Sequence, residues 1–199
     1  MVRRTTIDPA AVAFDFDGVL ADTMSLFLNI ASDEYNISGI AYDDITSYDL
    51  EECLNIAPEI ITEIIHQILE GNYSQTLQPM AGASEVLMRI CRYRQPIPLV
   101  TSRPYPGPIH DWIIHSLPLD PAAFEIIATG TFEGKADELL CRDISYFVED
   151  RLETCFSLRE SGIIPILFRQ PWNRSPHSFM EIANWSELAN LIQFQDDLL

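Results

Sequence analysis

Residues 11–23 read AVAFDFDGVLADT, an apolar segment that runs directly into one aspartate, with a second two positions later. Ala11 to Phe14 carry no polar side chain. A strand here is therefore suited to burial on both faces, as in a parallel sheet covered by helices on each side. Asp15 then stands at the carboxyl end of that strand. Gly18 can take backbone angles closed to other residues, so the chain can turn sharply and leave Asp15 and Asp17 facing the crevice beyond the strand. A solvated turn also uses Asp and Gly, but it has no need of two aspartates at this spacing behind a wholly apolar strand. A divalent-cation site in which one carboxylate is also a nucleophile accounts for both.

The remaining chain alternates between helical and strand patterns. Residues 24–35 have the apolar spacing of an amphipathic helix ended by Asn36 and Gly39. A short helix is expected from Ser47 or Asp49. Pro58 suits the first turn of the next helix, whose isoleucine stripe closes at Gly71. Helix 83–93 precedes a strand over 97–100 that ends in Thr101 and Ser102. Further strands are expected at 125–128, at 144–148 before Glu149 and Asp150, and at 163–168. Helices are expected from Lys135 through Cys141, over 153–161 and near 185–192. Strands alternating with helices imply a parallel sheet. Residues 23–79 lack strand patterning, which marks them as a helical insertion and leaves 1–22 and 80–199 as the α/β core.

Composition bounds the function. With 199 residues, 47% of them hydrophobic and 21% charged, the chain can bury one substantial core. A net charge of −18 disfavours a nucleic-acid polymer or an anionic membrane as partner. A small phosphorylated metabolite stays possible where local cations outweigh that field. Cys53, Cys91, Cys141 and Cys155 are widely spaced, without a CxxC pair. No apolar run approaches the ~18 residues of a membrane span, and the amino terminus lacks a signal-peptide pattern. Reduced thiols and a cytoplasmic location are the expectation; the oligomeric state is left open.

Four polar clusters stand at strand ends or before helices: Asp15/Asp17, Thr101/Ser102, Lys135 and Glu149/Asp150. Singly, the later three read equally well as a helix cap, a surface lysine and an acidic turn. Together, the segments DFDGV, PLVTS, GKADELL and YFVEDRLE resemble, in order, the four signatures of the haloacid dehalogenase-like (HAD) phosphohydrolases. The resemblance spans residues 11 to about 155. It implies a three-layer Rossmann-like α/β fold with a small inserted helical cap of the C1 type.

That family's chemistry also follows by resemblance. Asp15 would be the nucleophile that forms an aspartyl-phosphate. Asp17 would protonate the leaving oxygen and then activate water. Mg²⁺ would be held by Asp15, Asp150 and the backbone carbonyl of Asp17, an oxygen-only set suited to that ion. Thr101, Ser102, Arg103 and Lys135 would bind phosphate, with Glu149 behind the ligands. The segment LFRQPWNR, residues 167–174, resembles the 5'(3')-deoxyribonucleotidases, so a nucleoside monophosphate is the expected substrate. Arg103, Tyr105, Trp172, Asn173 and Arg174 are candidates for the cleft mouth, and Tyr42, Tyr48 and Tyr73 for substrate contact from the cap. A sugar-phosphate mutase or phosphoglycolate-type phosphatase would share this core. A catalytically silent binding protein of the same fold is the rival outside enzymes, although a scaffold has no need of the full acid–lysine set.

Overall fold

A computed structural model of the chain describes residues 6–194. Its centre is a six-stranded, all-parallel sheet of β1 (Val12–Phe14), β2 (Ile97–Thr101), β3 (Phe124–Ala128), β4 (Tyr146–Glu149), β5 (Ile164–Phe168) and β6 (Met180–Ile182). The spatial order is β3-β2-β1-β4-β5-β6, a doubly wound arrangement. The order reverses between β1 and β4, the place where such sheets open a ligand crevice at their carboxyl ends.

Helices cover both faces. They are α1 (Thr23–Tyr35), α2 (Leu50–Cys53), α3 (Pro58–Glu70), α4 (Ala83–Ile90), α5 (Gly107–Ser116), α6 (Lys135–Leu140), α7 (Leu152–Glu160) and α8 (Trp185–Leu191). Because side chains alternate along a strand, Phe14 joins the buried cluster that includes Leu87, Ile113 and Trp185, whereas Ala13 joins Leu139, Phe147 and Leu158 on the opposite face. Trp185 stacks on Phe14 with ring centroids 5.1 Å apart and donates its indole N–H to the Val19 carbonyl at 2.9 Å. This one side chain fastens α8 to both β1 and the loop that follows it.

Residues 23–79 contribute α1, α2 and α3 and no strand of the sheet. The chain leaves and returns side by side, with Asp22 N–H donating to the Gln78 carbonyl at 2.9 Å and Met80 N–H to the Leu20 carbonyl at 2.8 Å. The apolar faces of these helices, among them Phe27, Ile61, Ile64 and Ile68, belong to the same continuous buried cluster as Phe14 and Leu99.

Two elements went unread in the sequence, and some ends shift. Helix α5 lies behind Pro104, Pro106 and Pro108, a proline density that reads as loop; Pro108 in fact occupies the helix's first turn, where a missing N–H costs nothing. Strand β6 is only three residues long and lies at the sheet edge. Helix α4 stops at Ile90 rather than 93, and the fourth strand begins at Tyr146 rather than 144, since Ile144 N–H donates to Leu139 at the end of α6.

Trp185 provides a test of this packing. Trp185→Ala should cost about 3–5 kcal/mol. Trp185→Phe keeps the stack but strands the Val19 carbonyl, at about 1–3 kcal/mol. Urea unfolding curves of the two variants measure both; no loss in Trp185→Phe would contradict a role for the indole N–H, and equal losses would contradict a role for the stack.

Candidate active site

Strand register brings the polar clusters together. Phe14 pairs with Leu99 on one side and Val148 on the other. Asp15 and Glu149 therefore lie one residue past a paired position, and Thr101 two, all at the same end of the sheet. Asp15 N–H extends the ladder by donating to the Val148 carbonyl at 2.9 Å. Lys135, the first residue of α6, approaches from the β3 side with no exposed surface.

The Lys135 ammonium lies 2.8 Å from Glu149 Oε2 and 3.0 Å from Asp15 Oδ1. Glu149 is otherwise filled, its Oε1 accepting the backbone N–H groups of Asp150 at 3.1 Å and Arg151 at 3.0 Å. Asp15 Oδ1 is buried and receives no well-aligned hydrogen bond despite the nearby ammonium. Asp150 accepts the Trp172 indole N–H at 3.1 Å through Oδ2. Ligand oxygens of Asp15, Glu149 and Asp150 fall within 4.8 Å of one another. Burial raises the pKa of Asp15 well above the carboxylate range, and Glu149 and Asp17 add to the rise against the pull of Lys135. Burial likewise raises Asp150, with Glu149 and Asp15 reinforcing it. Burial alone would lower Lys135, but Asp15 and Glu149 outweigh it and hold the ammonium firmly charged.

Gly18 is required by this geometry. Its φ is +68°, and a Cβ there would stand 2.1 Å from Asp150 Oδ2. The turn is held from the far side by Gln170, whose amide donates to the Gly18 carbonyl at 2.6 Å, while Asn173 donates to the carbonyls of Asp150 at 2.7 Å and Phe168 at 2.8 Å.

Asp17 faces another way. Arg103 forks onto it, Nε to Oδ2 at 2.9 Å and a terminal nitrogen to Oδ1 at 2.6 Å, and the Thr23 hydroxyl donates to Oδ1 at 2.5 Å. Burial would raise this carboxyl, yet the Arg103 charge and these hydrogen bonds lower it. Arg103, expected at the phosphate, is thus engaged with Asp17, and its other terminal nitrogen donates to the Ile68 carbonyl of α3 at 3.1 Å. The Thr101 hydroxyl accepts Arg103 N–H at 3.1 Å.

A cavity of about 510 Å³ opens beside Asp17, Ser102 and Arg103, within the range of small-molecule sites. Met24, Phe27, Leu50, Ile65, Ile68 and Leu69 from the helices of 23–79 form one wall; Pro104 and residues 130–133 form the other. Tyr48 and Phe132 meet edge to face across it at 5.8 Å, with the Arg151 guanidinium 4.0 Å from the Phe132 centroid and 5.1 Å from that of Tyr48. The Tyr48 hydroxyl is held protonated mainly by burial and then by Asp150, Asp15, Asp17 and Glu149. Of the three tyrosines considered, only Tyr48 lines this cavity. Tyr42 donates to Gln170 Oε1 at 3.0 Å, and Tyr73 lines a separate depression beside α5.

Two cleft-mouth candidates lie elsewhere: Tyr105 is exposed, and Arg174 pairs with Glu181 at 3.6 Å. Trp172 is buried and reaches Asp150, so packing and contact with an acid coincide in one side chain. The residues that sequence reading missed are Thr23, Phe132, Arg151 and Gln170. A signal was present for Lys135, since it is the only lysine among the 199 residues.

Comparison with known proteins agrees with this geometry. The family described as 5' nucleotidase, deoxy (pyrimidine), cytosolic type C protein (NT5C) matches residues 9–197. No curated protein sequence matches. Among solved structures, a HAD-superfamily hydrolase from Ehrlichia chaffeensis superposes with TM-score 0.58 at 19% identity, covering 92% of this chain and 95% of its own. A haloacid dehalogenase-like family hydrolase from Streptococcus pneumoniae gives 0.59 at 15% identity, over 90% and 96% of the two chains. CbbY from Rhodobacter sphaeroides, in complex with xylulose-1,5-bisphosphate, gives 0.58 at 17% identity, over 92% and 99%. At these identities the superpositions establish the fold, and the match over nearly the whole length establishes the family. The chain has the fold of these haloacid dehalogenase-like hydrolases and belongs to the 5' nucleotidase, deoxy (pyrimidine), cytosolic type C family.

Proposed function

We propose that the chain is a Mg²⁺-dependent phosphatase that hydrolyses a nucleoside monophosphate through an aspartyl-phosphate on Asp15. The observation that carries this reading is the buried set of Asp15, Glu149 and Asp150 against the single cation Lys135. Three carboxylates and one ammonium leave an excess of negative charge in a region shielded from water, which a divalent cation would offset. Asp15 Oδ1, lacking an aligned donor, and the Asp150 carboxylate cradled against Gly18 fit that cation; Glu149, with both oxygens filled, does not compete for it. Asp15, Asp150 and the Asp17 carbonyl would hold Mg²⁺, which when bound lessens the repulsion between phosphate and carboxylate. Asp15 attacks phosphorus, and Lys135 orients that carboxylate and favours its ionised form against the pull of burial. Arg103 and Thr23 favour the ionised form of Asp17 in this arrangement; turned out of that grip and protonated, Asp17 gives its proton to the leaving oxygen and then takes one back from the water that cleaves the acyl phosphate. Thr101 and Ser102 donate to phosphoryl oxygens.

Residues 23–79 act as the cap in this reading, hinged where Asp22 meets Gln78 and Leu20 meets Met80. The cavity between these helices and the loops after β2 and β3 takes the leaving group. Its apolar walls and the Tyr48–Phe132 pair suit a flat ring. The family's printed description supports a pyrimidine deoxynucleotide and a cytosolic setting, and the four free cysteines are compatible with the latter. No helix among the described residues is long and apolar enough to cross a membrane.

Asp15→Asn should abolish release of phosphate from p-nitrophenyl phosphate and nucleoside monophosphates while the far-ultraviolet circular dichroism stays that of the parent chain. Asp17→Asn should lower kcat/KM by about 10²–10⁴. Near-parental turnover by Asp15→Asn would end the aspartyl-phosphate reading.

Metal binding predicts a pH signature. Asp15 and Asp150 have folded pKa values raised above their unfolded ones, so the metal-free fold loses stability as pH rises from about 4 through those raised values. Mg²⁺ relieves that cost, so the gain in Tm it produces should be small near about pH 5 and larger near about pH 8. A gain independent of pH, or one retained by Asp150→Asn, would argue against ligation by this pair.

Tyr48→Ala should raise KM for a nucleoside monophosphate by one to two powers of ten, given about 1–3 kcal/mol for stacking of a base on an aromatic ring. p-Nitrophenyl phosphate should change far less. Equal losses on both substrates would place selectivity outside Tyr48.

A further inference from the structure

Arg103 is 3% exposed and spends its guanidinium on two different segments. Two nitrogens fork onto Asp17, and the third donates to the Ile68 carbonyl in α3. Its own backbone N–H is fixed by the Thr101 hydroxyl at 3.1 Å, and the guanidinium lies over the Phe16 ring, 4.9 Å from the centroid. All five N–H donors of a guanidinium share one rigid plane. A displacement of α3 that carries the Ile68 carbonyl with it therefore tilts the same plane that holds both Asp17 oxygens. The Thr23 hydroxyl, at the start of α1, grips Asp17 from the hinge side of the same helical segment.

We propose that Arg103 is a positioning residue that couples the placement of α3 to the aim of Asp17, so that movement of the helical segment and reorientation of the leaving-group acid are one event. This rests on the reading of Asp17 as that acid, and it departs from assigning Arg103 to the phosphate. The mechanical link is contiguous: α3 backbone, guanidinium, Asp17 carboxylate. Coupling of this kind is reciprocal, so a change at Asp17 must be felt at α3, which Asp17 does not hydrogen-bond. Thr101 and Phe16 give the strut a fixed base on the sheet.

Hydrogen exchange and a pair of esters test this. The amides of Gly71 and Asn72, which donate to Ile68 and Gln67 at the α3 end, are the reporters. Arg103→Gln should raise their exchange. Asp17→Asn should raise it too, and the double variant should exceed Arg103→Gln by nothing further. Unchanged exchange in Asp17→Asn would overturn the coupling. For activity, p-nitrophenyl phosphate releases a phenolate that departs unaided, whereas benzyl phosphate presents a similar ring on an alkoxide that needs a proton. Arg103→Gln should cost kcat/KM for benzyl phosphate at least about tenfold more than for p-nitrophenyl phosphate. Arg103→Lys, which keeps a buried charge but not the fork, should recover only part of that difference. Equal losses on both esters would overturn the proposal, and a weaker inhibition by inorganic phosphate alongside them would give Arg103 to phosphate binding instead. Should the parent chain hydrolyse neither ester, the phosphatase reading fails, while the exchange measurement still decides the coupling.

Discussion

The Lys135 ammonium, without exposed surface and within 3.0 Å of Asp15 and 2.8 Å of Glu149, is the interaction on which the rest of the crevice depends. Removing an ion from water costs several kcal/mol even after relaxation, and here four are removed together with Asp150. Each must recover that cost from fixed partners. Glu149 does so through Lys135 and two backbone N–H groups, Asp150 in part through the Trp172 indole, and Asp15 only in part. The sheet makes this affordable, because the carboxyl ends of β1 and β4 are adjacent and in register, so the acids are held by backbone that cannot relax away from them. A buried site with surplus negative charge is an arrangement a fold retains for what it binds rather than for stability.

The helical segment 23–79 is joined to the sheet in two physically different ways. Its apolar stripes merge with the central buried cluster, which supplies adhesion without direction. Direction comes from polar and aromatic junctions, among them Tyr42 to Gln170, Ile68 to Arg103, and Tyr48 to Phe132 and Arg151. These core partners each touch a loop that bears an acid. Gln170 holds Gly18, Arg103 holds Asp17, and Arg151 N–H donates to Glu149. The orientation of the helices is in this way tied to the acids at several points through short, directional contacts.

What the sequence disclosed, and what it hid, divides along chain distance. Asp15, Thr101, Lys135 and Asp150 could be singled out because the four segments that carry them stand in one recognisable order, whereas each of the later three alone reads equally well as a cap, a surface lysine or an acidic turn. The doubly wound sheet followed from alternation of strand and helix. Helix α5 was masked by three prolines, and β6 by its length of three residues at an edge where little burial is required. The walls of the cavity were illegible for another reason. Phe132 lies in the loop after β3, Tyr48 before α2 and Arg151 after β4, and nothing in any of those stretches signals that they meet. The partner of Arg103 was hidden likewise, since 86 positions separate it from Asp17 and a phosphate would satisfy the same fork.

Charge usage across the chain supplies the last step. Histidines aside, every other basic side chain is arginine; one lysine is kept, and it stands where two carboxylates converge on a point. A guanidinium spreads its charge over a planar fork and suits the two-pronged grip of Arg103 on Asp17, whereas an ammonium concentrates charge on one atom that can be approached from several sides. The distinction also bears on how a chain of net charge −18 can admit a dianion. Charges spread over the outer surface are screened over roughly 8–10 Å at physiological ionic strength, while those in the crevice act across a few ångströms of low dielectric. The outer field attracts divalent cations toward the protein, and on the function proposed above the crevice, with its excess of carboxylate, would hold such an ion. Strongly acidic composition and a site for a phosphate ester are therefore compatible, because the acidity that repels the free ester would also concentrate the ion proposed for the buried acids.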